Sequence, residues 1–378
     1  MKIKLLFVGK AHIIDYPTPL NINYNWSFGA LSGIFALIQV ITGILLAVHY
    51  TSYIDIVFEN MEHIMRNVNN GWLLRYIHAN SASFFFICIY LHIFRGIFYK
   101  SFFAPRNLIW NSGVIILILS ILVAFIGYVL PWGQMSYRGA TVITNLVTAV
   151  PYIGNHIVLW IWGGFTVQGS TIIRFYNFHY LFAILLMLLI FIHLILLHEV
   201  GSSSPIGISN VKDKIKFYRY FYLKDLFILF IFFIFFFFIT FYYPNVLGHS
   251  DNYIKANALV TPTHIVPEWY FLPFYAVLRS IDNKLFGVIA MLISILILLI
   301  LPYCSIYIKN INFVSGFDNN FFFILFSLTI ISLWFIGSLP AEYPYTFYGK
   351  VLTSFYFELF IFNYFYCKFH NKIIEYIV

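Results

Sequence analysis

Four histidines stand inside long apolar runs: His78 and His92 in one, His179 and His193 in another. Within each pair the separation is 14 residues. At about 1.5 Å per residue, a helix carries the second imidazole about 21 Å past the first and returns it to within roughly 40° of the same face. Two such helices set face to face sort the four rings into two pairs, one near each surface of a bilayer. A pair of imidazoles can hold one iron from both sides, the ligation of a low-spin, electron-transferring haem. Taken singly, an intramembrane histidine could as well be a proton relay or an interhelical hydrogen bond. One spacing repeated on two helices favours two non-covalent b-type haems.

The neighbouring residues agree. Gly29 and Gly43 lie 14 residues apart on one further apolar run, and Gly113 and Gly127 do so on another. Glycine lets a helix backbone approach the edge of a macrocycle closely. Haem propionates also need cations, and Arg75, Arg95 and Arg174 stand three to five residues from a histidine of the set. The alternative for each arginine is a side chain that merely snorkels to the membrane surface.

The elements that must position these groups are membrane spans. The chain of 378 residues is 61% hydrophobic and only 10% charged, against about a quarter charged in soluble domains. About 20 apolar residues in a helix cross a bilayer. Eight stretches qualify, near 29–50, 76–99, 109–130, 175–198, 223–243, 286–307, 320–338 and 347–367. The expected fold is therefore all-α and integral to the membrane, with an N-terminal four-helix bundle enclosing the haems. An even number of spans puts both termini on one side. That side collects 14 of the 22 Lys and Arg residues, which points the termini toward the negatively charged compartment.

The formal charge of +8 is spread over short loops; its role is topological, not the binding of nucleic acid. Cys88, Cys304 and Cys367 form no C-x-x-C or C-x-x-C-H motif, against covalent haem, iron–sulfur ligation and structural zinc. The basic Met1–Lys10 followed by polar sequence predicts no cleavable signal peptide. Forty-five Phe and 29 Tyr are what AT-rich codon usage produces, and fit an organellar gene. Two long apolar loops, 131–174 and 244–285, lie on the side opposite the termini and are expected to be functional. The polar stretch 201–221 divides the chain into an N-terminal haem-binding half, 1–210, and a C-terminal half, 211–378, with four further spans.

The chain resembles the cytochrome b family of bc1 complexes over nearly its whole length. The resemblance rests on Gly71–Trp72, Arg75–Asn80, Gly133–Ser136, Gly139–Asn145, Trp162–Phe165, Gly248–Tyr253 and Pro267–Tyr270. It implies that His78 and His179 ligate a low-potential haem near the long loops, and His92 and His193 a high-potential haem near the termini. It further implies a quinol oxidation pocket lined by Phe125, Tyr128, Met135, Gly139, Ile143 and Tyr275, with Glu268 as proton carrier. A carboxylate beside a buried quinol can take a hydroxyl proton and pass it to water. A quinone reduction pocket is implied at the other surface, by His198, Lys224 and Asp225, groups suited to delivering protons.

By the same resemblance the activity is that of a quinol–cytochrome c oxidoreductase using ubiquinol and ubiquinone. Its partners would be a Rieske iron–sulfur protein, cytochrome c1, the other bc1 subunits and lipid, in a homodimeric complex. The location would be the mitochondrial inner membrane, with both termini in the matrix. Three residues depart from the family pattern: Arg138 where an aromatic is usual, Ser204 where Asn is usual, and Val200 where a polar residue is common. They bear on quinone preference, not on the haems. Two rivals are a smaller b561-like di-haem carrier, which would not need the two long loops, and a transporter or channel using buried histidines for protons, which would show no b-type absorption.

Overall fold

The computed structural model describes residue 10 and residues 14–206, 213–304 and 317–377, apart from the side chains of 304, 317–320, 370, 371 and 373–377. Lys2, Lys4, Lys212 and Lys309 of the charge count, and the division at 210/211, lie outside the described residues. A short strand, β1 (Pro17–Pro19), precedes helices α1 (Ser27–His49), α2 (Val57–Arg66), α3 (Gly71–Phe98), α4 (Asn107–Val129), α5 (Gln134–Asn145), α6 (Gly154–Trp162) and α7 (Gly169–Val200). After it come strand β2 (Lys214–Lys216) and helices α8 (Tyr220–Tyr242), α9 (Leu272–Arg279), α10 (Lys284–Leu296), α11 (Leu301–Cys304), α12 (Phe317–Ser338) and α13 (Tyr345–Ile377).

Lipid offers no hydrogen-bond partner to a bare peptide group, so apolar runs of this length fold as helices. Among the described residues seven stretches are long and apolar enough to span: those of α1, α3, α4, α7 and α8, Lys284–Tyr303, and Phe321–Ser338. The eighth expected span, 347–367, lies within the 33-residue α13, where Lys350, Glu358 and Asn363 make it less apolar than the other seven. The ends of the spans are set by local chemistry. Gln168 and Thr171 form a reciprocal capping box at the start of α7, and Gly201, at φ +89°, ends it. At the start of α3 a Cβ on Gly71 would stand 2.0 Å from the Ile64 carbonyl oxygen, so only glycine lets α2 turn into α3.

The most extensive helix contacts join α1 to α3 and α4 to α7. These two pairs make the N-terminal bundle. Helix α8 leans on α3 and α1, while α9, α12 and α13 pack on one another. Phe35 is fully buried between Phe84, at 5.4 Å centroid separation, and Phe236, at 5.5 Å. Phenylalanines such as Phe191 and Phe230 face outward instead; hydrocarbon is as good a solvent for them as the core. The short helices α2, α5, α6 and α9 gather at the end that carries the two long loops.

Among the described residues the helical expectation has one exception in a paired strand. At the opposite end β1 pairs antiparallel with β2, Pro17 opposite Lys216 and Pro19 opposite Lys214. The pairing is extended by a bond from the Phe217 amide to the Tyr16 carbonyl, 2.9 Å, and by an Asp15–Lys216 ion pair of 2.7 Å. Three residues with two prolines show no alternation that would announce a strand.

Candidate functional site

Two histidine pairs lie between α3 and α7. His78 faces His179 with ring centroids 6.4 Å apart, and His92 faces His193 at 6.5 Å. Two metal–imidazole bonds of about 2 Å each, plus about 1.1 Å from nitrogen to centroid on either side, sum to about 6.2 Å. Each gap therefore suits one six-coordinate iron. Among the described residues no cluster of three or more His, Cys, Asp and Glu side chains offers a rival metal site.

The outer ring nitrogens are engaged. His78 Nδ1 lies 2.8 Å from Thr42 Oγ1, His193 Nδ1 2.8 Å from Ser112 Oγ, and His179 Nδ1 3.0 Å from the Val123 carbonyl. Such contacts orient the ring and leave Nε2 for a metal. At His92 the neighbour is Arg95, whose Nη2 lies 3.1 Å from Nδ1.

The four glycines stand against these rings. A Cβ would lie 3.1 Å from His92 Cε1 at Gly29, 3.2 Å from His78 Cε1 at Gly43, 3.4 Å from His193 Cε1 at Gly113, and 2.5 Å from His179 Cε1 at Gly127. Arg95 and Arg174 also suit an anion. Arg95 Nε, Arg174 Nη1 and the indole Nε1 of Trp26 are buried without hydrogen-bond partners. Arg95 lies over the Trp26 ring at 5.0 Å. Unpaired buried donors side by side are costly unless an acceptor such as a propionate is received there. Trp26 was not anticipated from the sequence. Arg75, by contrast, sits within electrostatic reach of both His78 and Glu268.

A cleft opens beside the His78–His179 pair. Phe125, Tyr128, Met135, Gly139, Ile143, Glu268 and Tyr275, all anticipated from the sequence, line this one cleft. Val142, Leu146, Ile265, Val266, Phe271 and Leu278 join them. Their signal was helical spacing: 139, 142 and 143 share one face of α5, which 146 continues just past its end, and 271, 275 and 278 share one face at α9. The walls are held by three of the motifs quoted above. A Cβ on Gly133 would meet the Asn252 carbonyl oxygen at 2.2 Å, and the Ser136 amide donates to Asn252 Oδ1 at 2.9 Å. The Trp269 indole donates to Ser83 Oγ at 3.0 Å, the Tyr90 hydroxyl donates to the Tyr270 carbonyl at 2.5 Å, and Tyr270 stacks on Phe86 at 4.1 Å.

Glu268 is thereby held in the cleft wall, largely withdrawn from water. Burial pushes its carboxyl up to about 7, against the opposing pull of Tyr128 and the Arg75 charge. The Tyr128 hydroxyl is buried and faces this carboxyl. A carboxyl poised near neutrality beside a buried phenol can exchange a proton with a hydroxyl-bearing ligand.

At the other end, His198, Lys224 and Asp225 are met by the segment 16–27, which sequence reasoning did not include in the site. Tyr16 stacks on His198 with centroids 4.4 Å apart and its hydroxyl donates to the Leu197 carbonyl at 3.2 Å. Lys224 Nζ donates to the Ile22 carbonyl at 2.7 Å, and Asp225 faces Ser27. Of the departures, Ser204 Oγ accepts from Asn21 Nδ2 at 3.0 Å. Val200 is the last residue of α7.

Comparison with known proteins places the chain in a family. A family model described as "Cytochrome b/b6/petB" matches residues 13–201, and one described as "Cytochrome b(C-terminal)/b6/petD" matches residues 255–357. The chain is similar to cytochrome b of Phytophthora megasperma, 54% identical over 351 residues, which covers 93% of this chain and 91% of that protein. Similarity to cytochrome b of Solanum tuberosum is 51% over 350 residues, 92% of this chain and 88% of that one. Among solved structures, a chain of a hyperthermophilic respiratory complex III superimposes with a TM-score of 0.88 at 32% identity, covering 96% of each chain.

Proposed function

The chain belongs to the cytochrome b family, as the cytochrome b subunit of respiratory complex III, the ubiquinol–cytochrome c reductase, and on that premise we propose how its residues divide the work. The family binds two b haems, which when bound supply a one-electron path between the membrane faces. His78 and His179 would hold the low-potential group, with Thr42 and the Val123 carbonyl orienting their rings. His92 and His193 would hold the high-potential group, with Ser112 orienting His193. Gly29, Gly43, Gly113 and Gly127 keep space beside the rings, and Arg95, Arg174 and Trp26 would receive propionates.

The observation that carries the assignment of quinol oxidation is the convergence of Glu268, Tyr128 and five further anticipated residues on one cleft beside the His78–His179 pair. Apolar walls from α5 and α9 take the ring and tail of ubiquinol. Glu268 accepts a hydroxyl proton, and Arg75 and Tyr128 steady the carboxylate that must form before each turnover. With the haems bound, one electron of the quinol would pass to an external iron–sulfur partner and the other would cross toward the far face. There His198 and Asp225 deliver protons to the reduced quinone, and Lys224 anchors the surrounding backbone.

The chain is part of complex III with other subunits. The finer assembly we infer includes a Rieske iron–sulfur protein docking on the long loops, cytochrome c1, and a second copy of the complex. The membrane is the mitochondrial inner membrane with both termini in the matrix, supported by the excess of Lys and Arg on that side. The two family matches support the halves 1–210 and 211–378 as units. Replacing Glu268 by Gln in the assembled complex tests the central assignment: quinol oxidation should slow and lose its dependence on pH near neutrality. An unchanged rate and profile would remove Glu268 from the reaction.

A further inference from the structure

We propose that Arg138 is a positioning residue for quinol binding, its guanidinium fastening the 258–260 segment to α5 and so setting the separation of the two cleft walls. The proposal rests on the reading of the cleft as the quinol oxidation site. Arg138 Nη2 donates to the Ala258 carbonyl at 3.1 Å and, more closely, to the Val260 carbonyl. Gln134, one turn earlier on α5, reaches the same strand of chain, with Nε2 donating to the Asn257 carbonyl at 3.1 Å and to the Val260 carbonyl at 2.5 Å. The Asn257 amide returns a bond of 2.6 Å to Gln134 Oε1. The Val260 carbonyl is thus shared by two donors from one helix face.

The position of this clasp gives it a consequence for the cleft. Arg138 immediately precedes Gly139, which lines one wall together with Val142 and Ile143. Five residues beyond Val260 the chain enters the opposite wall at Ile265 and runs on to Glu268. Between them no regular element stiffens residues 254–268, so the register of that wall depends on where the segment is tied down. Bonds from a charged donor are the stronger ones available for the purpose. The electrostatic neighbours of Glu268 are Tyr128 and Arg75 rather than Arg138, so the effect of Arg138 is exerted through geometry. A wider or wandering cleft costs ground-state binding of quinol more than it costs the chemical step once quinol is seated.

The test is steady-state oxidation of decylubiquinol by the assembled, haem-loaded complex carrying Arg138→Ala or Arg138→Lys. The Ala variant should raise KM on the order of tenfold, with kcat within about twofold of the parent and both haem signals intact. The Lys variant keeps a charged donor and should restore KM to within about threefold of the parent. If the Ala complex does not accumulate, Arg138→Gln carries the same expectation, because its shorter side chain cannot reach both carbonyls. An unchanged KM in Arg138→Ala overturns the proposal. So does a fall in kcat at constant KM, or a Lys variant as impaired as the Ala one. Glu268→Gln measured alongside separates the two layers. If it keeps the parental rate and pH profile, the cleft is not the quinol site and the role of Arg138 falls with it. If Glu268→Gln is slow while Arg138→Ala keeps its KM, the positioning role alone is wrong.

Discussion

Gly127 on α4 approaches His179 on α7 so closely that a Cβ would stand 2.5 Å from the ring's Cε1 and 2.9 Å from Nδ1. Gly113, one 14-residue repeat earlier on the same helix, leaves 3.4 Å to His193. A methyl group at Gly127 must push the imidazole aside, an overpacking that costs about 1–3 kcal/mol and turns the ligand out of line. Gly127→Ala should therefore weaken or abolish the haem signal near the long loops, while Gly113→Ala, at the edge of ordinary contact, should leave both signals present. Reduced-minus-oxidised spectra of the two variants make the comparison, and equal effects would contradict the graded fit.

The pairing of rings makes a sharper demand. His92 faces His193 at 6.5 Å, and His78 faces His179 at 6.4 Å. Removal of His92 leaves one site with a single imidazole and the other untouched, so His92→Ala should lose one b-type signal and largely spare the second. Retention of both signals would reject this assignment of ligands.

The histidines were legible because a helix in lipid has a fixed rise and twist, so a 14-residue interval on two runs converts directly into depth and face. The cleft was only half legible. Gly139 and Ile143 stood out through the resemblance, but Val142 on the same face of α5, and Leu146 just past its end, read as ordinary apolar residues. In a chain this hydrophobic, amphipathic contrast is weak. Helix α2 hid in what read as a connector between the first two spans, although Glu59, Glu62, His63 and Arg66 mark its polar side. The β1–β2 pair was illegible for another reason: its strands are three residues each and nearly 200 residues apart, and nothing local to either predicts the other. Because that pair was unseen, Tyr16, which it places on His198, went unseen too.

For Glu268 the sign of the pH dependence follows from its burial. The carboxyl is raised from 4.5 to about 7, and it can accept a quinol proton only as the carboxylate. Below pH about 7 the group is already protonated, so quinol oxidation should fall with acid along a limb centred near that value and level off above it. Glu268→Gln removes the titrating group, so the limb should vanish and the rate drop by about 10²-fold or more. Opening the site to water would lower the carboxyl and move the limb to more acid pH. A limb that persists unmoved in the Gln variant belongs to some other group.

At the other membrane face the stack of Tyr16 on His198, with 4.4 Å between centroids and planes 21° apart, brings the N-terminal segment to the proposed reduction site. The phenol ring fixes the plane of the imidazole, and its hydroxyl ties to the Leu197 carbonyl in the last turns of α7. The segment itself is fixed by β1–β2 and by the Asp15–Lys216 pair, so the ring is presented from a braced backbone. Stacking depends on the ring and the carbonyl bond on the hydroxyl, which lets the two contributions be separated. Tyr16→Phe keeps the stack and gives up one net hydrogen bond, about 1 kcal/mol, so quinone reduction should slow by less than about tenfold. Tyr16→Ala frees the imidazole as well and should slow it further, while quinol oxidation at the opposite cleft and both haem spectra stay as they were. Single-turnover reoxidation of the haem nearer the termini reads the reduction step directly. If the Ala variant reoxidises that haem as fast as the parent, the stacked ring has no part in holding His198 for proton delivery.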